Sequence, residues 1–230
     1  MSKKTKKKKK KQTAKKPANK INEKSVIIAA ASALVLALII VGIVLIVRYF
    51  SDRCSYAYQR DIEGRDVVYV EMSVRDCGKV TILLDKTTAP VTVENFVSLV
   101  ERGFYDGLTF HRIIDDFMIQ GGAPNGEDTA DEIKGEFWLN GHYNDIEHIK
   151  GVISMARTED YDSASSQFFI CNEDSPHLDG QYAAFGYVVS GLRVVDKITS
   201  DYVGYTYDGM IYDKTKQPVI EYIRVVDFGE

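Results

Sequence analysis

The sequence predicts a mainly β domain that is preceded by one transmembrane helix. Three observations support this prediction. Short segments rich in β-branched residues are separated by turn residues, as in antiparallel sheets. Only two segments of the domain have the apolar spacing of an amphipathic helix. One long apolar run without any charge precedes all of them. With 230 residues, the chain has room for one or two domains of ordinary size.

Charge is distributed unevenly along the chain. Residues 1–25 hold 12 Lys and one Glu, a net of +11, whereas residues 49–230 carry a net of −16. A lysine-rich segment cannot bury apolar area, so residues 1–25 are predicted to form a disordered tail. The acidic remainder argues against nucleic acid as a partner of the folded domain, because phosphate would be repelled.

The apolar run covers residues 26–47, which contain no charge and only Ser32 as a polar side chain. As a helix it would span ~33 Å, against roughly 30 Å of bilayer hydrocarbon. A cleaved signal peptide is the alternative, but its apolar core is only about 7–15 residues long and ends at small residues. We therefore expect an uncleaved single-pass helix, with the lysine-rich N terminus cytoplasmic and the domain extracytoplasmic. Residues 48–66 mix charges without periodicity and are predicted to be a linker.

The domain opens with a predicted β-hairpin. Val67–Val74 and Lys79–Leu84 are rich in β-branched residues, and Asp76-Cys77-Gly78 between them provides the turn. A helix is predicted from Pro90 to about Arg102, where apolar residues recur at positions i, i+3, i+4 and i+7. These apolar residues are Val93, Phe96, Val97 and Val100.

The segment Phe110–Gly122 is predicted to form two short strands around an Asp115-Asp116 turn. It places Arg112 and Gln120 among apolar residues. A half-buried arginine is either ion-paired or available to a ligand, and composition alone favours an ion pair with Asp115 or Asp116. Further along, a second helix is predicted over Leu192–Thr199, with Val194, Val195 and Ile198 towards the core, and Val219–Phe228 is predicted to be the closing strand.

Four segments in matching order and spacing carry a resemblance to a known family. They read FHRIIDDFMIQGG (110–122), GVISMAR (151–157), SSQFFI (165–170) and LDGQYAAFG (178–186). On these segments the chain resembles the cyclophilins, which are peptidyl-prolyl cis-trans isomerases, from about Val67 to Gly229. The resemblance implies a cyclophilin-like domain over residues 67–229: a closed eight-stranded antiparallel β-barrel with two capping α-helices. Because side chains fill such a barrel, the substrate groove is expected on its outer face.

The resemblance also implies which residues are catalytic and which bind the substrate. Arg112 is the expected catalytic residue, which donates to the proline nitrogen without a covalent step, metal or other cofactor. The expected substrate-binding residues are Phe117, Met118, Phe169 and Leu178 around the proline ring, Gln120 beside Arg112, Ala156 and the main chain of Arg157 along the substrate backbone, and Tyr182 and His177 at the rim. Phe110 and Phe168 are assigned to the core instead.

The chain departs from the family pattern at three places. Asp115-Asp116 replaces the usual Pro-Gly, and the loop Ala123–Glu132 is acidic and poor in glycine. His177 stands where cyclosporin-sensitive members have tryptophan. Imidazole is smaller and more polar than indole, so weak cyclosporin binding is expected.

The expected function is that of a membrane-anchored, bacterial-like isomerase. It would act on proline-containing polypeptides during the folding of exported proteins, where the uncatalysed step takes tens to hundreds of seconds. The alternative is a catalytically weak proline-peptide binding module or chaperone tethered to the membrane. The four histidines do not fall in a metal-ligand spacing. The three cysteines, Cys54, Cys77 and Cys171, are an odd number, so at least one thiol is free or pairs between chains.

Overall fold

The computed structural model describes residues 31–44, 63–124, 130–202 and 208–227. The chain divides into two compact units, Met1–Tyr49 and Phe50–Glu230. In the first unit, residues 31–44 form helix α1, whose large apolar side chains are exposed. Within the described ranges, no helix combines the length and the apolar character required to cross a bilayer. The predicted tail, the two ends of the predicted transmembrane helix and most of the predicted linker lie outside those ranges.

The second unit contains the strands and the other two helices. Its elements are β1 (Val67–Val74), β2 (Gly78–Asp85), α2 (Pro90–Glu101), β3 (Phe110–Ile114), β4 (Met118–Gly121), β5 (Val152–Met155), β6 (Phe168–Cys171), β7 (Ala184–Ser190), α3 (Leu192–Tyr202) and β8 (Ile220–Val226). The predicted hairpin, both helices and the closing strand are therefore present, with boundaries that shift by a few residues.

The eight strands form one antiparallel sheet in the order β3-β4-β6-β5-β7-β2-β1-β8. The sheet is a half-barrel, and the prediction of a closed barrel is wrong. Its edge strands β3 and β8 meet only near their first residues, through an isolated bridge between Thr109 and Val219. Beyond that bridge, the free edge of β3 is occupied by another segment: the Ile113 amide donates to the Gly209 carbonyl, and the Ile211 amide donates to the His111 carbonyl, each at 2.8 Å.

Helix α2 begins where the sequence predicts it because Pro90 occupies its first turn, where a missing N–H costs nothing. The carboxylate of Glu136, from a distant loop, accepts hydrogen bonds from the Val91 and Thr92 amides at 3.1 and 2.8 Å. A negative charge at this end of a helix is favourable. The face of α2 towards the core carries Thr92, Val93, Phe96, Leu99 and Val100.

Alternation along the strands sends neighbouring residues to opposite faces of the sheet. On β6, Phe168 and Ile170 enter the main core, whereas Phe169 and Cys171 join a second apolar cluster on the other face. Phe110 and Phe168 are fully buried in the main core, as predicted. The second cluster also contains Met118 from β4, and it supports the candidate site.

Candidate functional site

The register of three adjacent strands brings the central polar residues together. Arg112 on β3 is paired with Gln120 on β4, and Gln120 is paired in turn with Phe169 on β6. Residues paired in this way project from the same face, so the three side chains form a row across the sheet. The tight turn that precedes β4 is closed by Asp116, which has a positive φ of 54°.

Arg112 is half-buried and is held by neutral groups. Its Nε donates to the main-chain carbonyl of Asp208 at 2.9 Å, and its Nη1 donates to Oε1 of Gln120 at 3.2 Å. Among the described residues, no carboxylate lies within ion-pair distance of this guanidinium. The ion pair with Asp115 or Asp116 that composition alone favours is therefore wrong. The guanidinium charge remains available to a ligand.

Gln120 is itself positioned by Gln167, whose Oε1 accepts a hydrogen bond from Gln120 Nε2 at 3.0 Å. Gln167 was not among the predicted site residues. A signal for it does exist in the sequence, because Gln167 lies two residues before Phe169 and strand alternation places both on the same face. The three polar side chains thus form a chain that runs from Gln167 through Gln120 to Arg112.

A pocket of about 110 Å³ opens beside this polar row. It is lined by Arg112, Phe117, Met118, Gln120, Ala156, Arg157, Phe169, Leu178 and Tyr182. These are all of the predicted site residues except His177. That residue is exposed and lies next to the pocket, with its ring centroid 5.4 Å from that of Phe117.

The pocket floor is supported by a buried histidine, His148, which is not one of the predicted site residues. The His148 ring stacks on Phe169 with centroids 6.1 Å apart and planes at 16°. Its Nδ1 lies 2.9 Å from Oδ1 of Asp179, and its Nε2 lies 3.0 Å from Oγ of Ser154. Burial lowers the pKa of His148, and the Asp179 carboxylate opposes that effect. These contacts join separate strands and loops, so sequence spacing gives no signal for them.

Arg157 contributes its side chain as well as its main chain to the lining of the pocket. Its guanidinium carbon lies 4.6 Å from the ring centroid of Tyr182, 4.9 Å from that of Tyr161 and 5.1 Å from that of Phe137. The Nε and Nη2 groups donate to the carbonyl of Gln181 at 3.2 and 2.8 Å. The sequence predicts a role for the Arg157 main chain only. In the structure, its side chain also contacts three aromatic rings and the Gln181 carbonyl.

The cysteines of the described residues do not supply a nucleophile to this site. Cys171 and Cys77 are free thiols. Burial raises the pKa of Cys171 to about 12, so its thiol stays protonated at neutral pH, and only the thiolate is reactive. The site is therefore an apolar pocket with a fixed cationic donor beside it, an arrangement suited to non-covalent recognition of an apolar ring joined to a polar backbone.

Comparison with known proteins identifies the family of the chain. Residues 69–227 match the model of the family described as cyclophilin type peptidyl-prolyl cis-trans isomerase/CLD. A peptidyl-prolyl cis-trans isomerase of Synechococcus elongatus is 43% identical over 131 residues, which cover 54% of this chain and 88% of that protein. Peptidyl-prolyl cis-trans isomerase B of Bacillus subtilis is 42% identical over 130 residues, covering 55% of this chain and 87% of the relative.

Solved structures agree in fold. A cyclophilin type peptidyl-prolyl cis-trans isomerase of Cryptosporidium parvum aligns with a TM-score of 0.62 at 23% identity, covering 71% of this chain and 100% of that protein. A second structure of the same protein, in the presence of the dipeptide Ala-Pro, aligns with a TM-score of 0.60 at 24% identity, covering 69% of this chain and 99% of that protein. Because the family match covers more than half of the sequence and includes the pocket, the chain belongs to the cyclophilin-type peptidyl-prolyl cis-trans isomerases and is an enzyme of that class.

Proposed function

We propose that Arg112 catalyses rotation of X-Pro bonds by donating a hydrogen bond to the proline nitrogen as the amide twists. The barrier to rotation, ~18–20 kcal/mol, comes from amide resonance. When the nitrogen becomes pyramidal, its lone pair can accept a hydrogen bond that neither planar isomer accepts. A donor at that position stabilises the twisted state selectively, which is the requirement for catalysis.

The observation that carries this proposal is the set of hydrogen bonds that fixes the Arg112 side chain. Two of its donor groups are fixed by the Asp208 carbonyl and by Gln120, while no hydrogen bond from its Nη2 group is found among the described residues. The guanidinium also lines the apolar pocket. A donor that is fixed in advance loses little entropy when the substrate binds, so more of its interaction is available to the transition state.

The remaining pocket residues suit the proline ring and its flanking backbone. Phe117, Met118, Phe169 and Leu178 provide apolar walls for the ring. The Ala156 amide donates to the Gln167 carbonyl at 2.9 Å, and the Ala156 carbonyl would accept a hydrogen bond from the substrate residue before proline. An Ala-Pro dipeptide, the ligand present with the Cryptosporidium parvum protein, has the chemistry that this pocket would accept.

An isomerase assay on the full-length chain in lipid nanodiscs tests the activity directly. Exchange NMR on a short Ala-Pro peptide measures the rate without a coupled protease. We expect exchange to accelerate with enzyme concentration, and Arg112→Ala to remove most of the acceleration. If a folded sample binds the peptide but leaves the exchange rate at its uncatalysed value, the chain is a proline-peptide binding module or chaperone instead.

We further propose that the enzyme is held at a membrane and serves exported, proline-containing proteins. The support is the uncharged stretch 26–47 behind a segment with a net charge of +11, together with the exposed apolar side chains of helix α1. A positive flank is typical of the cytoplasmic side of a transmembrane helix, so the isomerase domain would lie outside the cytoplasm. Protease added to intact cells should then remove the domain and leave a small membrane fragment. Protection of the domain until the membrane is breached would refute this orientation.

A further inference from the structure

Two large apolar side chains are exposed side by side on one short turn, Trp138–Asn140. Trp138, the only tryptophan of the chain, is 65% exposed, and Leu139 is 53% exposed. Single exposed apolar residues are common, whereas adjacent large ones on a charged surface indicate an interaction site. Residues 49–230 as a whole carry a net charge of −16. We refer to Trp138 and Leu139 together as the apolar shelf.

The apolar shelf packs directly against the rim of the proline pocket. The Leu139 amide donates to the Gly180 carbonyl at 2.9 Å. Gly180 has a φ of 72°, and a Cβ atom at this position would lie 3.3 Å from Cβ of Trp138. The absence of a side chain at Gly180 thus allows the turn to approach the rim closely. Leu178 and Tyr182, on either side of Gly180, both line the pocket.

A second connection joins the apolar shelf to the pocket through Arg157. Its guanidinium contacts the Tyr182 ring at 4.6 Å on the pocket side and the Phe137 ring at 5.1 Å on the shelf side. Phe137 directly precedes Trp138 in the chain. Stacking of an arginine on aromatic rings is favourable and restricts its motion. Arg157 therefore connects the pocket rim to Phe137, the buried residue from which the apolar shelf extends.

The size of the pocket determines what can reach the apolar shelf. A volume of about 110 Å³ holds about one side chain, so a bound polypeptide must leave the pocket and run across the rim. Ala156 and Arg157 are proposed to pair with the substrate backbone before proline, and Arg157 also stacks on Phe137, the residue next to the apolar shelf. Side chains that precede the proline would then meet Trp138 and Leu139.

We infer that the apolar shelf binds an apolar or aromatic side chain of the same unfolded polypeptide whose proline occupies the pocket, on the N-terminal side of that proline. The inference rests on the proposed function, because it takes the pocket to hold a substrate proline. Burial of apolar area stabilises the complex. Polypeptides with exposed apolar segments, as in proteins that have not yet folded, are thereby favoured over short polar prolyl peptides.

Matched peptides test the inference on the full-length chain in lipid nanodiscs. One series carries a single Phe that moves from the second to the sixth position before Ala-Pro, and a control peptide carries Gln at those positions. At one or two of these positions we expect kcat/KM from exchange NMR to rise about threefold to tenfold over the control. In Trp138→Ala, the ratio of kcat/KM for the Phe peptide to kcat/KM for the Gln peptide should fall close to one. Tyr212→Ala is the matched control, since Tyr212 is 73% exposed and lines a different pocket, and it should keep the ratio.

Trp138 fluorescence gives a second readout that does not depend on turnover. Because Trp138 is the only tryptophan, its emission should move to shorter wavelength with the Phe peptides and stay unchanged with the Gln peptide. A shift without accelerated exchange would contradict the proposed function while supporting binding at the apolar shelf. Accelerated exchange with an equal kcat/KM for all peptides would support the proposed function and contradict binding at the apolar shelf.

Three other outcomes would overturn the inference. If Trp138→Ala preserves the preference for the Phe peptides, the preference arises elsewhere in the protein. An emission shift when the protein alone is concentrated would identify a second copy as the occupant of the apolar shelf. Quenching of Trp138 by brominated lipids would identify the bilayer instead.

Discussion

Replacing Arg112 by alanine is the most direct test of the catalytic proposal. The side chain donates hydrogen bonds to the Asp208 carbonyl and to Gln120, and no carboxylate of the described residues pairs with it. A hydrogen bond from a charged donor contributes about 1.5–3 kcal/mol. Since about 1.4 kcal/mol corresponds to a factor of ten in rate, we expect kcat/KM to fall by about one to two decades.

The same contacts indicate that the fold should survive the substitution. Asp208 is exposed and Gln120 is half-buried, so water can replace the lost hydrogen bonds, and Gln120 keeps its bond to Gln167. We expect the free energy of unfolding to change by less than about 1.5 kcal/mol. Lysine should not restore activity, because an ammonium group lacks the planar fork that reaches several acceptors at once.

Exchange NMR for activity and urea unfolding for stability are measured on the same full-length samples. Arg102→Ala is a suitable control, because Arg102 is exposed beyond the end of α2 and its side chain donates, among the described residues, only to the Ser98 carbonyl. Wild-type kcat/KM in a folded Arg112→Ala protein would refute the mechanism. Full recovery in Arg112→Lys would show that charge alone, without the fork geometry, is sufficient.

Three further predictions concern groups around the pocket. Gln120→Ala should lower kcat/KM by about tenfold in exchange NMR, and it should have little further effect in the Arg112→Ala background, because Gln120 acts by positioning Arg112. Burial lowers the pKa of His148 in the folded protein, so the unfolded chain binds the proton more readily, and urea unfolding should show stability that declines as pH falls below about 6.5. His177→Trp should tighten cyclosporin inhibition at least about tenfold in a titration, since indole adds apolar area beside Phe117.

Each of these three predictions has a result that contradicts it. Additive losses from the Gln120 and Arg112 substitutions would show that the two side chains act independently. For His148, the comparison is His148→Gln, which cannot titrate; an equal decline with pH in both proteins would assign the effect to other groups. Equal and tight cyclosporin inhibition of the native protein and His177→Trp would show that position 177 does not control drug binding.

The sequence by itself determined the strand alternation and the membership of the pocket. The resemblance assigned Phe169 to the site and left Phe168 to the core, and period-two alternation, a local property, is the physical reason that the two lie on opposite faces. Pro90 and the helical spacing of apolar residues likewise located α2. The resemblance carried by the four segments then identified the residues that line the pocket.

Only the tertiary structure decided which groups position the site residues and which segment pairs with the edge of the sheet. The partner of Arg112 is a carbonyl 96 residues away, and His148 supports Phe169 through contacts between separate elements. At the edge of β3 that a closed barrel would give to β8, the main chain is bonded instead to residues 209 and 211. These interactions join residues that are distant along the chain. Local periodicity records which face a residue occupies, but not which distant backbone group will lie opposite it.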